Sequence, residues 1–125
     1  IWEWNGQDPA WYPGDETVDI VSYDIYAGNH VYSSYSGTFS ECVESSSERK
    51  LVALSENGCV MDPDLVMRDN ARWLFWGTWS NPFTLKLGVL LNDEYTEKDL
   101  LIKAYNHDRT LTLDELPDLK NYPLD

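Results

Sequence analysis

Between Lys50 and Ser55 lies an unbroken apolar run of strand length, Leu51-Val52-Ala53-Leu54, closed by the polar stop Glu56-Asn57-Gly58. A strand with apolar side chains at consecutive positions has two faces to bury, the condition of strands in a parallel sheet covered by helices. The other β-branched and aromatic runs take their places around this one. Val18 to Asp24 follows the turn residues Pro13-Gly14-Asp15 and runs into Ala27-Gly28-Asn29. Ile1 to Asn5 reads as a strand, and so does Arg72 to Trp79, broken by Asn81-Pro82.

Helical patterns follow the second, third and fourth of these strands. Thr38 to Arg49 has apolar residues at Phe39, Cys42 and Val43, with Thr38 and Glu41 in capping-box spacing. Asp62-Pro63-Asp64 opens a short helix through Met67-Arg68. Thr96-Glu97-Lys98-Asp99 repeats the capping-box pattern before Leu100, Leu101, Ala104 and Tyr105, and the helix stops near Asn106-His107-Asp108. The gap between the first two strands leaves room for a single helical turn. Strands beginning near positions 1, 18, 50 and 72 and alternating with helices describe parallel β/α units. Four such units make half of an eight-stranded barrel. Open edges and an uncovered interior then require either a second half or a copy of the chain itself. The acidic, Pro-containing segment Leu111 to Asp125 is expected to pack against the outside of the barrel.

Composition removes several function classes. The 125 residues carry 22 acidic against 9 Lys and Arg side chains, a formal net charge of −13, so phosphate backbones and anionic lipids are repelled. No nucleic-acid or membrane partner is expected. The apolar runs stay well short of the ~18 residues of a membrane helix, and the first residues form no basic and hydrophobic leader. The chain is expected to begin inside a fold. Cys42 and Cys59 lack metal or disulfide-framework spacing and are expected to be free thiols. His30 and His107 lack ligand spacing, and there is neither a phosphate-cradling glycine loop nor a nucleophile elbow, so no metal or cofactor is expected.

Active sites of β/α barrels sit at the C-terminal ends of the strands. Those positions hold Trp4-Asn5, Asp24 and Tyr26, Glu56 and Asn57, and Trp79. Carboxylates with phenol, amide and indole neighbours suit sugars, whose C–H faces stack on aromatic rings while their hydroxyls take fixed hydrogen bonds. Each residue also has a plain structural reading. Glu56 is either catalytic or caps a turn, and Asp24 either supports the site or ends its strand. Trp4 and Trp11 are candidate outer sugar platforms, with barrel packing the equal alternative for Trp4. Strand alternation sets Trp73 and Trp79 on one face and Trp76, read as packing, on the other. His30 is a weaker candidate for substrate contact.

The segments Trp11-Tyr12-Pro13-Gly14-Asp15-Glu16, Val18 to Tyr26, Val52 to Gly58, Thr78-Trp79, and Tyr105-Asn106-His107 leading to Leu113-Asp114-Glu115-Leu116-Pro117 together resemble the C-terminal half of glycoside hydrolase family 26 β-mannanases. The resemblance implies an α/β fold, strands five to eight of a (β/α)8 barrel, with residues 1–125 as the C-terminal half and the N-terminal half absent. It implies a retaining, secreted endo-enzyme on β-1,4-mannan, with the mixed-linked glucanase and β-1,3-xylanase activities of the family as alternatives. Matched position by position, Glu56 is the nucleophile, Tyr26 the tyrosine that hydrogen-bonds it, and Trp79 the indole under the sugar at the cleavage point. The family's acid/base glutamate stands in a His-Glu pair, which this sequence lacks, so the chain by itself is expected to be inactive. A non-catalytic sugar-binding module and a self-assembling half-barrel remain as readings from other classes.

Overall fold

The computed structural model describes residues 1–80, 83–86, 90–118 and 120–121. Asn81-Pro82 and residues 122–125 of the acidic tail therefore lie outside the described residues. Strands β1 (Glu3–Trp4), β2 (Ile20–Ile25), β3 (Leu51–Asn57) and β4 (Trp76–Thr78) form one parallel sheet in the order β1-β2-β3-β4. Helices α1 (Ser36–Glu44) and α2 (Pro63–Arg68) connect its later strands. A single 3-10 turn, Pro9–Trp11, fills the short gap after β1, with the Asp8 carboxylate accepting from the Ala10 N–H. After β4 comes a short antiparallel pair absent from the sequence reading, β5 (Leu85–Lys86) and β6 (Leu90–Leu91), and then helix α3 (Lys98–Tyr105).

One face of the sheet carries the core. Val21 of β2 and Val52 and Leu54 of β3 pack with Cys42 of α1, Met61, Ala71 and Trp73, and Trp4, Tyr23, Ile25, Phe39 and Trp76 complete the cluster. Full burial of each aliphatic side chain contributes about 1.5–3 kcal/mol. The opposite face carries Ile20 and Leu51 at its N-terminal end and becomes small and polar toward the C-terminal ends, with Ser22, Asp24, Ala53 and Gly77 at alternate positions. Two buried thiols are free, as expected, and burial pushes the Cys42 thiol up to about 11.

Local details depart from expectation for identifiable reasons. Helix α1 starts at Ser36, behind Tyr35 in the left-handed region at φ 51°, so Thr38 is already helical and its capping box with Glu41 does not form. The helix ends at Glu44 rather than Arg49 because the serines that follow have other partners. Ser46 and Ser47 donate to the Asp15 carboxylate, and Ser45 donates back to the Glu41 carbonyl. Thr96 does not cap α3 either, since its buried hydroxyl accepts from the Val60 N–H. Asp62 caps α2 as the sequence indicates. Lys103 of α3 bridges Asp62 and Asp64, with the His107 ring 3.4 Å from Asp64, so these contacts fasten α3 to α2. Residues 72–75 are not regular strand. Trp73 is therefore not on the Trp79 face; it is buried, edge-on to Phe39, and its indole N–H donates to the Ser34 carbonyl. In the tail, a capping box between Thr112 and Glu115 organises a 3-10 turn that leaves Leu111 and Leu113 largely exposed, in place of the packing expected.

Candidate active site

Strict alternation along β3 would send Glu56 to the same side as Val52 and Leu54, into the apolar core. A bulge prevents this. Tyr23 pairs with Leu54, but the next residue, Asp24, pairs with Glu56, so Ser55 is the extra residue and the parity of the strand reverses after it. Glu56 thereby joins the polar face and stands opposite Asp24. The same shift appears against β4, where Leu54 pairs with Trp76 and Asn57 with Thr78. The Ser55 hydroxyl is held by the Glu3 carboxylate, and its carbonyl lies so close to Gly77 that any side chain there would collide with it.

The phenol of Tyr26, the residue after β2, donates to Glu56 Oε2 at 2.6 Å. This is the short geometry of an O–H bonded to a carboxylate. Burial, reinforced by the hydrogen bond to the Glu56 carboxylate, pushes the Tyr26 hydroxyl up to about 12, so it remains a proton donor at any pH of interest. Asp24 accepts from Asn5 Nδ2 at 2.9 Å, and Gln7 Nε2 donates in turn to Asn5 Oδ1 at 2.5 Å. Burial raises the Asp24 carboxyl and the charges of Glu56 and Glu3 add to that, while the hydrogen bonds from Asn5 and the Glu56 backbone oppose it. Trp79 is the residue after β4, its backbone N–H donating to the Asn57 carbonyl at 3.0 Å, and its ring is half-exposed.

Other candidates are drawn elsewhere. Asn57 is buried on the core side of the bulge. Its amide donates to the Cys59 carbonyl and accepts from the Thr78 hydroxyl, so it fixes the loop and is not open to a ligand. Trp4 shares the register of Val21, and its ring packs over Gly6 and edge-on to Tyr12, with centroids 5.0 Å apart. It is a packing residue rather than a platform. Trp76 packs edge-on toward Tyr105, as expected. Trp11 is 76% exposed on its 3-10 turn and has no ring partner among the described residues. His30 binds the Asp93 carbonyl and joins its loop to the segment before α3. Sequence reasoning missed Phe83 and Tyr95, whose rings line up behind Tyr26. An apolar cleft of about 330 Å³, lined by Met61, Trp73, Trp76, Ala104 and His107, lies on the helix side and is not part of this site.

The ends of β2 and β3 thus bring together a carboxylate, the phenol that donates to it and a second carboxylate on the neighbouring strand. The Glycosyl hydrolase family 26 pattern matches residues 1–115. The chain belongs to this family. It is 37% identical over 117 residues to a mannan endo-1,4-β-mannosidase of Thermothelomyces thermophilus, covering 93% of this chain and 22% of that protein. It is 32% identical to mannan endo-1,4-β-mannosidase B of a Piromyces species, covering 94% of this chain and 19% of the relative. Among solved structures, the Podospora anserina GH26-CBM35 β-(1,4)-mannanase superposes with a TM-score of 0.78 at 34% identity, over 92% of this chain and 24% of that one. A β-mannanase from a symbiotic protist of the termite Reticulitermes speratus, in complex with a gluco-manno-oligosaccharide, gives 0.75 at 30% identity, over 94% and 35%. The chain thus spans about a fifth of the length of the curated relatives it matches.

Proposed function

We propose that this family 26 chain supplies strands five to eight of a (β/α)8 barrel that hydrolyses β-1,4-mannosidic bonds with retention, Glu56 being the nucleophile. The observation that carries the reading is the hydrogen bond from Tyr26 to Glu56 at the C-terminal ends of adjacent parallel strands, where barrel enzymes hold their chemistry. The phenol occupies one carboxylate oxygen and leaves the other to attack. In the first step that oxygen forms a bond to the anomeric carbon as the glycosidic oxygen leaves, taking a proton from an acid across the cleft. In the second, water adds to the anomeric carbon, the glycosyl–Glu56 bond breaks, and the same acid, now a base, takes the water proton. Retaining geometry needs that second carboxyl about 5–5.5 Å away. Asp24 is not assigned this role, because it is engaged by Asn5 and the Glu56 backbone; the acid/base is assigned to the complementary half of the barrel. Trp79 stacks under the distorted mannose ring, Asp24 takes a sugar hydroxyl, and Trp11 offers an outer platform.

The polymeric substrate makes the enzyme a secreted one, acting on mannan, galactomannan or glucomannan without a cofactor. Glu56→Gln in the complete barrel is expected to lower turnover of mannohexaose by at least about 10³-fold while binding persists. Equal turnover by the two proteins refutes the assignment. Faster hydrolysis of mixed-linked glucan or β-1,3-xylan than of mannan would redirect the substrate, and turnover by the isolated 125-residue chain would remove the need for a second half.

A further inference from the structure

Tyr26 lies beyond the last β2 residue, Ile25, so no ladder hydrogen bond holds it, and it is 47% exposed. A phenol so placed keeps several rotamers unless something walls it in. Phe83, in the turn between β4 and β5, supplies the wall. Its ring centroid is 5.3 Å from that of Tyr26 at an interplanar angle of 48°, and on its far side it rests on Tyr95, 4.4 Å away at 57°. Tyr95 is tied in turn to neighbouring loops, its carbonyl accepting from the His30 N–H and from the Cys59 thiol.

Gly58 is the third part of the device. Its N–H donates to the Ile25 carbonyl at 3.2 Å, and a methyl group on it would stand 3.1 Å from the Phe83 ring and 3.3 Å from the Tyr26 ring. The loops following β2, β3 and β4 therefore converge on one aromatic contact, and the absent side chain at 58 leaves the slot in which the two rings meet.

We infer that Phe83 is a positioning residue, acting through Tyr26 to hold its hydroxyl on Glu56. The inference rests on the proposed roles of Tyr26 and Glu56, and one of its two readouts does not need those roles to be right. Phe83 has no polar side-chain atom to offer a substrate or a carboxylate, and its ring packs on that of Tyr26, so its effect passes through the tyrosine. Freeing one side chain with several rotamers lowers the productive population by about 3- to 10-fold.

The test uses the complete polypeptide with Phe83→Ala, Phe83→Tyr, Tyr26→Phe and the double variant. Tetranitromethane nitration, mapped by peptide mass, reads how well the Tyr26 phenol is enclosed, with Tyr12 and Tyr23 as internal references. Phe83→Ala is expected to speed nitration of Tyr26 by about 3- to 10-fold while the references stay at wild-type rates, and Phe83→Tyr, which keeps a ring in place, to restore protection. In the hydrolysis assay Phe83→Ala is expected to lower kcat by about the same factor with KM little changed, and to add less than about 2-fold in the Tyr26→Phe background. Unchanged Tyr26 nitration in Phe83→Ala, or an undiminished kcat effect in the Tyr26→Phe background, overturns the inference. Faster nitration of all the tyrosines signals general loosening and overturns it too. If the wild type hydrolyses no glycan, the proposed function fails while the nitration pattern still decides whether Phe83 holds Tyr26.

Discussion

Gly77→Ala strikes at the join between β3 and β4. A Cβ at position 77 would come closer to the Ser55 carbonyl oxygen than the 3.0 Å that real Cβ atoms keep, and the clashing atom is backbone, which has no rotamer to yield. Restoring an ordinary C···O separation of about 3.3–3.6 Å needs the strands to part locally by roughly 1 Å. The neighbouring hydrogen bonds that would have to stretch are Leu54 N–H to the Phe75 carbonyl and Trp79 N–H to the Asn57 carbonyl, both 3.0 Å. Overpacking costs about 1–3 kcal/mol, and weakening one of these bonds adds about 1 kcal/mol. A total of about 2–4 kcal/mol lowers the melting temperature of a chain this size by roughly 6–15 °C. Gly37→Ala is the matched control: Gly37 sits inside α1 with open space around its Cβ direction, and alanine there is expected to stabilise by about 0.5–1 kcal/mol. Differential scanning calorimetry of both variants separates the cases. If Gly77→Ala melts within about 2 °C of the wild type, the close approach at the bulge is not a structural requirement and the reasoning fails.

Two further perturbations read other parts of the molecule. Asp15 is held down at about 2 by hydrogen bonds from Ser46, Ser47 and Tyr12, below its unfolded value of 3.8, so its stabilising contribution is complete above about pH 4 and disappears as pH falls through about 2. Asp15→Asn is therefore expected to flatten the decline of melting temperature between pH 4 and pH 2. The residual decline belongs in part to Asp69, which hydrogen bonds from Arg68 and Ser34 hold at about 2; an unchanged pH profile would refute the role of Asp15. Trp79→Ala removes the half-exposed indole at the end of β4 and is expected to lower kcat/KM on manno-oligosaccharides by roughly 30-fold, the equivalent of about 2 kcal/mol for an aromatic ring that substrate covers. An unaffected kcat/KM would mean that this ring is not under the sugar.

The parallel order of the strands was legible because Val52-Ala53-Leu54 and Ile20-Val21 are apolar on consecutive positions, and the lone turn at Pro9–Trp11 because the gap allowed no more. Tyr26, Glu56 and Trp79 were legible as strand-end residues. What escaped was set by tertiary partners that local patterns do not contain. Thr38 and Thr96 carry the capping pattern, yet an earlier helix start and the Val60 N–H override it. Asn57 was read only as a strand-end residue, and it takes the bulge after Leu54 to show that it faces the core; Trp4, open to either reading, is settled as packing by its register with Val21. Phe83 gives no signal of its own; only the folded loops bring it to Tyr26.

The bulge makes the aim of the carboxylate a matter of counting. Straightening β3 at Ser55 would keep every letter of the sequence yet turn Glu56 inward against Leu54 and its neighbours, and would rotate Asn57 out onto the polar face. A register change of one residue is thus a more drastic edit here than most substitutions. Grafts of the Val52–Gly58 segment onto straight strands should fail for the same reason, however faithfully the letters are copied.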